Sequence, residues 1–292
     1  MQGKVCLVTG ATSGLGRATA AALAARGAEV VLLGRNESRC RAVSAAIATE
    51  TGAVAPSILV CDLASLADIA RVADAYTASG RRLDVLVNNA GVVNRQRRET
   101  VDGFEETFAV NHLGYFALAL RLLPVLRASA PARIVNVASH AHRFAPLDLD
   151  DLQHERQYAA MRVYGRSKLA NLYFTFELAR RLEGSGVTVN AVHPGAVATG
   201  LGMNNEGALV RVVGMISRLF FRAPEDAAAT SIHAATAPEL AAQTGLYLAN
   251  SKPCEPHRRA RDRTVATRLW EVSERLVGIG MDDDGVVRVV SR

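Results

Sequence analysis

Tyr164 and Lys168 are the residues whose types and spacing most clearly suggest chemistry. They lie four positions apart on a helical pattern, so they share one helix face. A tyrosine phenol has a pKa near ~10 and is a poor acid or base at neutral pH. A nearby lysine ammonium favours the phenolate and lowers that pKa, which would make the phenol a useful proton donor and acceptor. The alternative is a surface pair, because this spacing is common by chance.

Ser139, at the end of a predicted strand, and a glycine-rich turn argue against that alternative. The turn contains Gly10, Gly14 and Gly16, and it lies between the first predicted strand and the first predicted helix. Glycine allows a tight turn and a close approach of backbone to phosphate, and the helix N-terminus offers free N–H groups to an anion. The spacing is TGxxxGxG rather than GxGxxG. Its position after the first strand of a βαβ series predicts a dinucleotide site.

The end of the second predicted strand indicates which dinucleotide binds. NAD enzymes keep an acid there for the ribose 2′-hydroxyl, whereas this chain has Gly34, Arg35 and Asn36. A guanidinium at Arg35 can pair with a 2′-phosphate, so the sequence predicts NADP(H) over NAD(H). The alternative for Arg35 is a solvated surface position, and Arg17 and Arg39 are second candidates for the phosphate contact.

Short apolar runs alternate with longer Ala-rich amphipathic stretches along the chain. The predicted strands are 5–9, 30–33, 57–60, 85–87, 134–137, 187–192 and 246–248. The predicted helices include 17–26, 39–49, 66–78, 104–126 and 163–182. Strands that alternate with helices form βαβ units, and continuous apolar strands are typical of a parallel sheet covered on both faces. We therefore predict an α/β Rossmann-type fold, a doubly wound parallel sheet with helices on both faces.

No repeat and no Pro/Gly/Ser-rich linker divides the chain, so a single domain is predicted over residues 1–280. Residues 144–158 carry three aspartates and are predicted to form an inserted surface segment. Residues 281–292 are predicted to be a flexible tail.

Composition excludes several classes of protein. The 292 residues are 49% hydrophobic and 21% charged, as in ordinary globular proteins. Lys and Arg exceed Asp and Glu by 34 − 28 = 6, and the densest basic cluster, 257–263, is short and contains an acid. Because no nucleic-acid-reading motif accompanies it, no nucleic-acid partner is predicted. The apolar run 115–126 is interrupted by Arg121 and Pro124 and falls short of the ~18 residues that a membrane span needs.

The positions of the cysteines and histidines bear on the cellular compartment and on metal binding. The four cysteines form no CxxC pair and the chain starts without a signal-peptide pattern, which together predict a cytoplasmic protein. His140 and His142 form an HxH pattern, but no convergent third ligand is evident, so no metal is predicted. They are predicted to pack or to line the pocket. Tyr158 is a rival to Tyr164, but Arg162 stands where a lysine would be needed.

Taken in order, these motifs resemble the short-chain dehydrogenase/reductase family over nearly the whole chain. The resembling motifs are Thr9-Gly10-x-x-x-Gly14-x-Gly16, Asn88-Asn89-Ala90-Gly91, Asn111, Ser139, Tyr164-x-x-x-Lys168 and His193-Pro194-Gly195. Stretches 110–114, 139–142 and 167–171, with Leu269-Trp270, are similar to the retinol dehydrogenase-like branch. So is the spacing of 25 residues between Ser139 and Tyr164. The N-terminal hydrophobic anchor of the membrane-bound members is missing, so a membrane retinoid role is not expected.

The resemblance implies a role for each catalytic residue. Tyr164 would be the general acid for reduction and the general base for oxidation. Lys168 would hold the nicotinamide ribose and lower the pKa of Tyr164. Ser139 would hydrogen-bond the substrate oxygen, and Asn111 would anchor a water in the proton relay.

The resemblance also implies a cofactor site, in which Asp62 contacts the adenine and residues 194–199 place the nicotinamide. The implied cofactor residues are Gly10, Thr12, Ser13, Gly14, Leu15, Gly16, Arg35, Asn36, Asp62, Leu63, Asn89, Ala90, Gly91, Tyr164, Lys168, Pro194, Gly195, Val197 and Thr199. Hydride transfer would come from NADP(H), while the protein positions the reactants and moves a proton.

The segment 200–221 follows the sixth predicted strand and carries an apolar face, so it is predicted to cover a lipophilic carbonyl or alcohol substrate. The predicted substrate residues are His140, Met203, Leu209, Val213, Ile216 and Phe220. A helix fixed on the core, or a dimer surface, would be equally apolar. A homodimer or homotetramer is compatible with the sequence. A non-catalytic dinucleotide-binding sensor or scaffold on the same fold is the alternative function, but it has no need for the Tyr164–Lys168 pair.

Overall fold

The computed structural model describes residues 1–195, 223–282 and 285–291, and an eight-stranded sheet forms its centre. The strands are β1 (Val5–Thr9), β2 (Glu29–Gly34), β3 (Ser57–Val60), β4 (Val85–Asn88), β5 (Ala132–Val137), β6 (Val187–His193), β7 (Tyr247–Ala249) and β8 (Lys252–Pro253). Their order in the sheet is β3-β2-β1-β4-β5-β6-β7-β8. All neighbours pair in parallel except β8, which runs antiparallel to β7. The reversal of strand order at β1 and β4 creates a crevice at the carboxyl ends of these strands, where ligands bind in such sheets.

Helices cover both faces of the sheet. They are α1 (Gly14–Ala25), α2 (Glu37–Thr51), α3 (Leu66–Ala78), α4 (Glu106–Phe108), α5 (Gly114–Ala128), α6 (Ala160–Arg181), α7 (Pro224–Thr236) and α8 (Arg263–Val277). A π-helical turn, Ala109–Leu113, joins α4 to α5, and short 3₁₀ turns include His140–Arg143 and Arg258–Arg261. The predicted doubly wound α/β fold is confirmed.

Successive side chains of each strand point to opposite faces of the sheet, so the core consists of two layers. In β1, Leu7 faces the cluster that contains Tyr115 and Leu169 from α5 and α6. Cys6 and Val8 face the opposite cluster, which α1 and α7 cover. Every residue of β1 is buried, because a parallel strand between two helical layers has no face open to water. This core holds the carboxyl ends of β1, β4 and β5 rigidly beside one another.

One helix, predicted over 104–126, meets the length and composition of a membrane span, which the sequence analysis had excluded from the shorter apolar run 115–126. Glu106–Ala128 runs as one helical stretch of 23 residues whose composition would permit a membrane crossing. The apolar run predicted from the sequence starts at residue 115 and leaves out the turns before it. In the structure 89% of the apolar window of this helix is buried inside the protein, so it serves as a core helix beneath the sheet.

The C-terminal region also differs from expectation. Part of the predicted flexible tail, 281–292, forms a hairpin in which β9 (Ile279–Met281) pairs antiparallel with β10 (Val287–Val289). Met281 is buried at 2% exposure and belongs to the main core cluster. The apolar residues of β9 therefore anchor this end of the chain. Residues 144–158 contain no helix or strand, as expected for a surface segment.

Candidate active site

The glycine-rich turn lies where β1 and β4 end side by side. The Thr9 hydroxyl accepts hydrogen bonds from the backbone N–H groups of Asn89 (2.9 Å) and Ala90 (3.0 Å). In return, Asn89 Nδ2 donates to the Thr9 carbonyl oxygen at 2.8 Å. These three bonds fix the two strand ends together. The predicted residues Asn89 and Ala90 therefore form one wall of the turn that leads into α1.

Close packing explains the glycines of this turn. Gly10 has a φ of +63°, and a Cβ there would lie 2.7 Å from the Ala90 Cα. A Cβ on Gly16 would lie 2.4 Å from the Gly10 carbonyl oxygen. Ser13, which begins α1, makes no side-chain cap. The free N–H groups at this helix N-terminus thus face a turn without bulky side chains, which fits a pyrophosphate group.

The end of β2 carries Arg35 and Asn36, both exposed, with no acid beside Gly34. A Cβ on Gly34 would lie 2.9 Å from Cys40 Sγ, so a larger residue would not fit at this position of the strand end. Asn36 has a structural role, because its Oδ1 accepts from the backbone N of Arg39 at 2.9 Å and caps α2. Arg35 is the residue here whose charge suits a ribose 2′-phosphate.

The end of β3 supplies the two other predicted adenine-side residues. Asp62 Oδ1 accepts from the Ala64 backbone N at 3.0 Å, which stabilises a tight turn. The Asp62 backbone N donates to Asp68 Oδ2 at 2.6 Å, and Leu63 is buried against the start of α5. The second Asp62 oxygen is left for other contacts at this edge of the sheet.

Asn111 lies in the π-helical turn and is fully buried. Its Oδ1 accepts from the Val92 backbone N at 2.8 Å, and its Nδ2 donates to the Val92 carbonyl at 3.1 Å and to Ser167 Oγ at 3.0 Å. The Ser167 hydroxyl in turn donates to the Tyr164 carbonyl at 2.8 Å. The side chain of Asn111 therefore joins the segment after β4 to the tyrosine turn of α6. A π turn at such a position is typical of functional sites.

The predicted catalytic residues Ser139, Tyr164 and Lys168 come together at the carboxyl end of β5. The side chain of Ser139 lies beside the Tyr164 phenol, close enough to influence its pKa. Lys168 Nζ lies 5.7 Å from the centre of the Tyr164 ring and 5.5 Å from that of Tyr115. Gly91 also lies next to the ammonium group, since a Cβ on Gly91 would be 3.7 Å from Lys168 Nζ. The arrangement can deliver or remove a proton at an atom held beside Ser139 and Tyr164.

The pKa values in this site are set mainly by burial. Burial raises the pKa of Tyr164, and the Ser139 side chain offsets only part of that rise. Burial also lowers the pKa of Lys168 to about 7. The lowering of the Tyr164 pKa that the sequence predicted is therefore corrected to a rise. A phenol of raised pKa keeps its proton at neutral pH but releases it less readily than a free tyrosine, so a positive charge beside it, such as the Lys168 ammonium, would be needed to favour proton donation.

The end of β6 brings His193, Pro194 and Gly195 to the same edge. The His193 ring stacks on that of His140, with centroids 3.9 Å apart and planes 24° apart. His140 is exposed, so the stacked pair faces the opening of the crevice. Gly195 has a φ of +86°, a turn conformation that glycine adopts readily. The other predicted residues of this region lie outside the described residues: Val197, Thr199, Met203, Leu209, Val213, Ile216 and Phe220.

Tyr115 in this region was not foreseen, whereas His142 was predicted from the HxH pattern to pack or to line the pocket. Tyr115 is buried, its hydroxyl donates to the Ala90 carbonyl at 2.7 Å, and its ring contacts the Lys168 ammonium. His142 contacts the backbone of Ser139 and is also fully buried. Tyr115 follows Asn111 by one helical turn, and that spacing is the signal that could have identified it. Over the described ranges, no group of three or more His, Cys, Asp or Glu side chains is arranged to hold a metal ion.

The fold and this site together define a class of protein. A model of the short chain dehydrogenase family matches residues 4–208. The chain is 42% identical to retinol dehydrogenase 14 of Mus musculus, over 96% of this chain and 87% of that protein. It is 44% identical to human retinol dehydrogenase 13, over 95% of this chain and 85% of that protein. The chain belongs to the short-chain dehydrogenase/reductase family and is similar to its retinol dehydrogenases, as the sequence motifs predicted.

Solved structures agree with this assignment. A protein from Mycobacterium paratuberculosis superimposes with a TM-score of 0.77 at 33% identity, with 94% of each chain covered. The NADP active-site complex of RhlG from Pseudomonas aeruginosa superimposes with a TM-score of 0.67 at 28% identity, covering 85% of this chain and 95% of that one. The chain is therefore an oxidoreductase of this family with a nicotinamide dinucleotide site.

Proposed function

We propose that this protein interconverts a carbonyl and an alcohol on a lipophilic small molecule, with NADP(H) as cofactor and Tyr164 as the general acid or base. The observation that carries the proposal is the placement of the Ser139 side chain beside the Tyr164 phenol, with the Nζ atom of the buried Lys168 5.7 Å from the centre of that ring. A non-catalytic dinucleotide sensor would need the phosphate turn but not a phenol and a hydroxyl placed beside a buried ammonium.

Different residues would bind the different chemical groups of the cofactor. The open N-terminus of α1 with its glycine turn would bind the pyrophosphate, and Arg35 would bind the 2′-phosphate. The segment around Gly91, beside Lys168 Nζ, would bind the nicotinamide ribose. When bound, NADPH supplies a hydride to the carbonyl carbon. The RhlG structure, an NADP active-site complex, supports the choice of cofactor by similarity.

The protein's own residues would move the proton. In reduction, Ser139 Oγ donates a hydrogen bond to the carbonyl oxygen and orients it beside the Tyr164 hydroxyl. The phenol O–H bond breaks as the proton passes to that oxygen, and the product is an alcohol. The Lys168 ammonium then stabilises the phenolate through charge until a solvent proton replaces the one transferred. Oxidation follows the same steps in reverse.

Exposed apolar residues near Tyr164 support a lipophilic substrate. Phe144 is 62% exposed and packs beside Gly165, the residue after Tyr164. Met161 is 52% exposed and precedes Tyr164 by three positions on α6. Large apolar side chains with so much exposure favour contact with an apolar ligand. The relatives named retinol dehydrogenases support the same class of substrate.

The location and assembly remain part of the proposal. All four cysteines are free thiols, and Cys6, Cys40 and Cys61 are buried, which supports a reducing compartment such as the cytoplasm. Assembly as a homodimer or homotetramer is proposed and is tested by light scattering.

A paired panel of lipophilic and small polar ketones tests the function. Wild-type protein with NADPH is expected to consume the cofactor, measured by its absorbance, and to prefer the lipophilic ketones. The variant Phe220→Asp, in the predicted substrate segment, is expected to lose that preference while keeping NADPH affinity. Turnover that is fastest with small polar ketones, or a variant that behaves like wild type, contradicts the proposed substrate class. Cofactor binding without any turnover would favour the sensor.

A further inference from the structure

His142 makes two hydrogen bonds that fix its chemical form. Its Nδ1 lies 2.7 Å from the carbonyl oxygen of Ser139, and its Nε2 lies 3.0 Å from the backbone nitrogen of His257. The His257 amide can only donate, so Nε2 must accept. Nδ1 therefore carries the hydrogen and donates it to Ser139. The ring is neutral in one defined tautomer.

The surroundings hold this ring still. His142 is 0% exposed, and the Tyr247 ring meets it edge-on with centroids 5.5 Å apart. Its own backbone N–H also donates to the Ser139 carbonyl at 3.1 Å. The carbonyl of Ser139 thus accepts two hydrogen bonds from the same residue, one from the backbone and one from the side chain. Such doubled bonding restricts the rotation of the Ser139 peptide.

The second partner belongs to a distant part of the chain. His257 lies between β8 and the 3₁₀ turn Arg258–Arg261, 115 residues after His142. That turn is itself tied to α6, since the Tyr173 hydroxyl donates to the Arg259 carbonyl at 2.8 Å. The segment after β8 therefore contacts both the helix that carries Tyr164 and, through His142, the turn that carries Ser139.

We propose that His142 is a positioning residue, which sets the Ser139 hydroxyl relative to the Tyr164 phenol by holding the Ser139 carbonyl against the segment around His257. The proposal rests on the proposed function through the role given to Ser139. His142 does not touch the reacting atoms. A displacement of about 1 Å at a reacting group costs about 100-fold in rate, so loss of this restraint should appear in kcat.

Two substitutions separate positioning from packing. In His142→Asn, the side-chain amide N–H occupies the place of Nδ1 and can still donate to Ser139. In His142→Gln, the side-chain oxygen reaches the place of Nε2 and can accept from His257, but the bond to Ser139 is lost. Both variants lose the ring and its contact with Tyr247, so a purely structural role predicts equal damage.

Steady-state kinetics with the ketone panel is the first measurement. The expected result is that kcat falls roughly 10- to 100-fold for His142→Gln and much less for His142→Asn, while the NADPH Kd stays within about twofold of wild type in both. Equal kcat values in two folded variants would overturn the proposal. So would a change confined to the substrate KM.

The ring nitrogens of wild-type protein provide a test that needs no turnover. Long-range ¹H–¹⁵N NMR of ¹⁵N-histidine-labelled protein is expected to show His142 as the neutral Nδ1–H tautomer at pH 7. An Nε2–H or a charged ring would overturn the proposal even if the variants do not fold. If wild type reduces no ketone, the proposed function fails, whereas the NMR result still decides whether His142 holds Ser139 as described.

Discussion

The Nζ atom of Lys168 donates a 2.9 Å hydrogen bond to the carbonyl oxygen of Val137, which ties helix α6 to the last residue of strand β5. This bond brings the ammonium into the interior, where burial lowers its pKa to about 7. The lysine therefore has a position fixed by the sheet and a charge that is easily changed by its surroundings. Both properties suit a group that acts on Tyr164 and on a bound ribose.

Replacing Lys168 should harm turnover and cofactor binding together. Lys168→Met keeps an apolar stem but removes the ammonium, and we expect kcat to fall by about 100-fold or more and NADPH to bind more weakly. Fluorescence titration with NADPH and initial rates measure the two effects. Lys252→Met, at an exposed position on β8, is the matched control. A variant of Lys168 with normal kcat would contradict its role beside Tyr164.

Replacing Tyr164 should separate turnover from binding. Tyr164→Phe keeps the ring on α6 and removes only the hydroxyl beside Ser139. We expect a loss of about 10²–10⁴-fold in kcat with the NADPH Kd nearly unchanged, because loss of a general acid has that magnitude. Tyr158→Phe is the control, because its hydroxyl donates to the Asn94 carbonyl at 2.9 Å, so stability falls by about 1 kcal/mol while kcat is kept. Near-normal turnover of Tyr164→Phe would end this assignment.

Arg35 should decide between the two dinucleotides. Arg35→Ala is expected to weaken NADPH by about 1.5–3 kcal/mol, the range for hydrogen bonds to charged groups, and to leave NADH almost unchanged. Isothermal titration with both cofactors measures the difference. Arg26→Ala, at an exposed position just after α1, controls for general loss of positive charge. Wild-type protein that binds NADH as tightly as NADPH would show that this strand end does not select the phosphate.

The sequence predicted the sheet because its strands are short, continuous apolar runs between helices, a pattern with few structural alternatives. It predicted Ser139 at a strand end and Tyr164 and Lys168 on one helix face, and the structure brings the three side chains together near the carboxyl end of β5. Residue type and spacing do not report how strongly a group is desolvated. The rise in the pKa of Tyr164 could therefore be recognised only from the packing around that residue in the structure.

Contacts between segments far apart in the chain could not be predicted from the sequence either. The HxH pattern at His140 and His142 predicted packing or pocket lining, and the two residues divide those roles. His140 is exposed and stacks on His193, whereas His142 is buried between Ser139 and a backbone group 115 residues away. No local pattern indicates such a partner. The same limit applies to β9, whose pairing with β10 depends on apolar residues entering the main core.

Three buried histidines should make the protein sensitive to mild acid. Burial is the largest cause that lowers the pKa of His112 to about 3 and of His142 and His154 to about 4. At His154, the Nδ1 atom lies 3.3 Å from Arg166 Nη1, which can only donate, so the neutral ring is needed there. Unfolded histidine has a pKa near ~6.5. Below that value the histidines of the unfolded chain are protonated, whereas these three rings stay neutral in the folded protein. The free energy of unfolding therefore falls as pH falls from about 6.5 towards 4.

The expected loss between pH 6.5 and 5.5 is about 1 kcal/mol for each of the three histidines. Carboxylates contribute little in this window, because their ordinary pKa values lie near ~4. Lys168, whose pKa burial lowers to about 7, adds a loss in the same direction, mainly between pH 7.5 and 6.5. Urea unfolding at pH 7.5, 6.5 and 5.5 measures the free energy of unfolding directly. His154→Gln, which removes one of the three titrating rings, should reduce the loss due to histidines by about one third. A free energy of unfolding that is the same at pH 7.5 and 5.5 would mean that these rings take up protons in the folded protein.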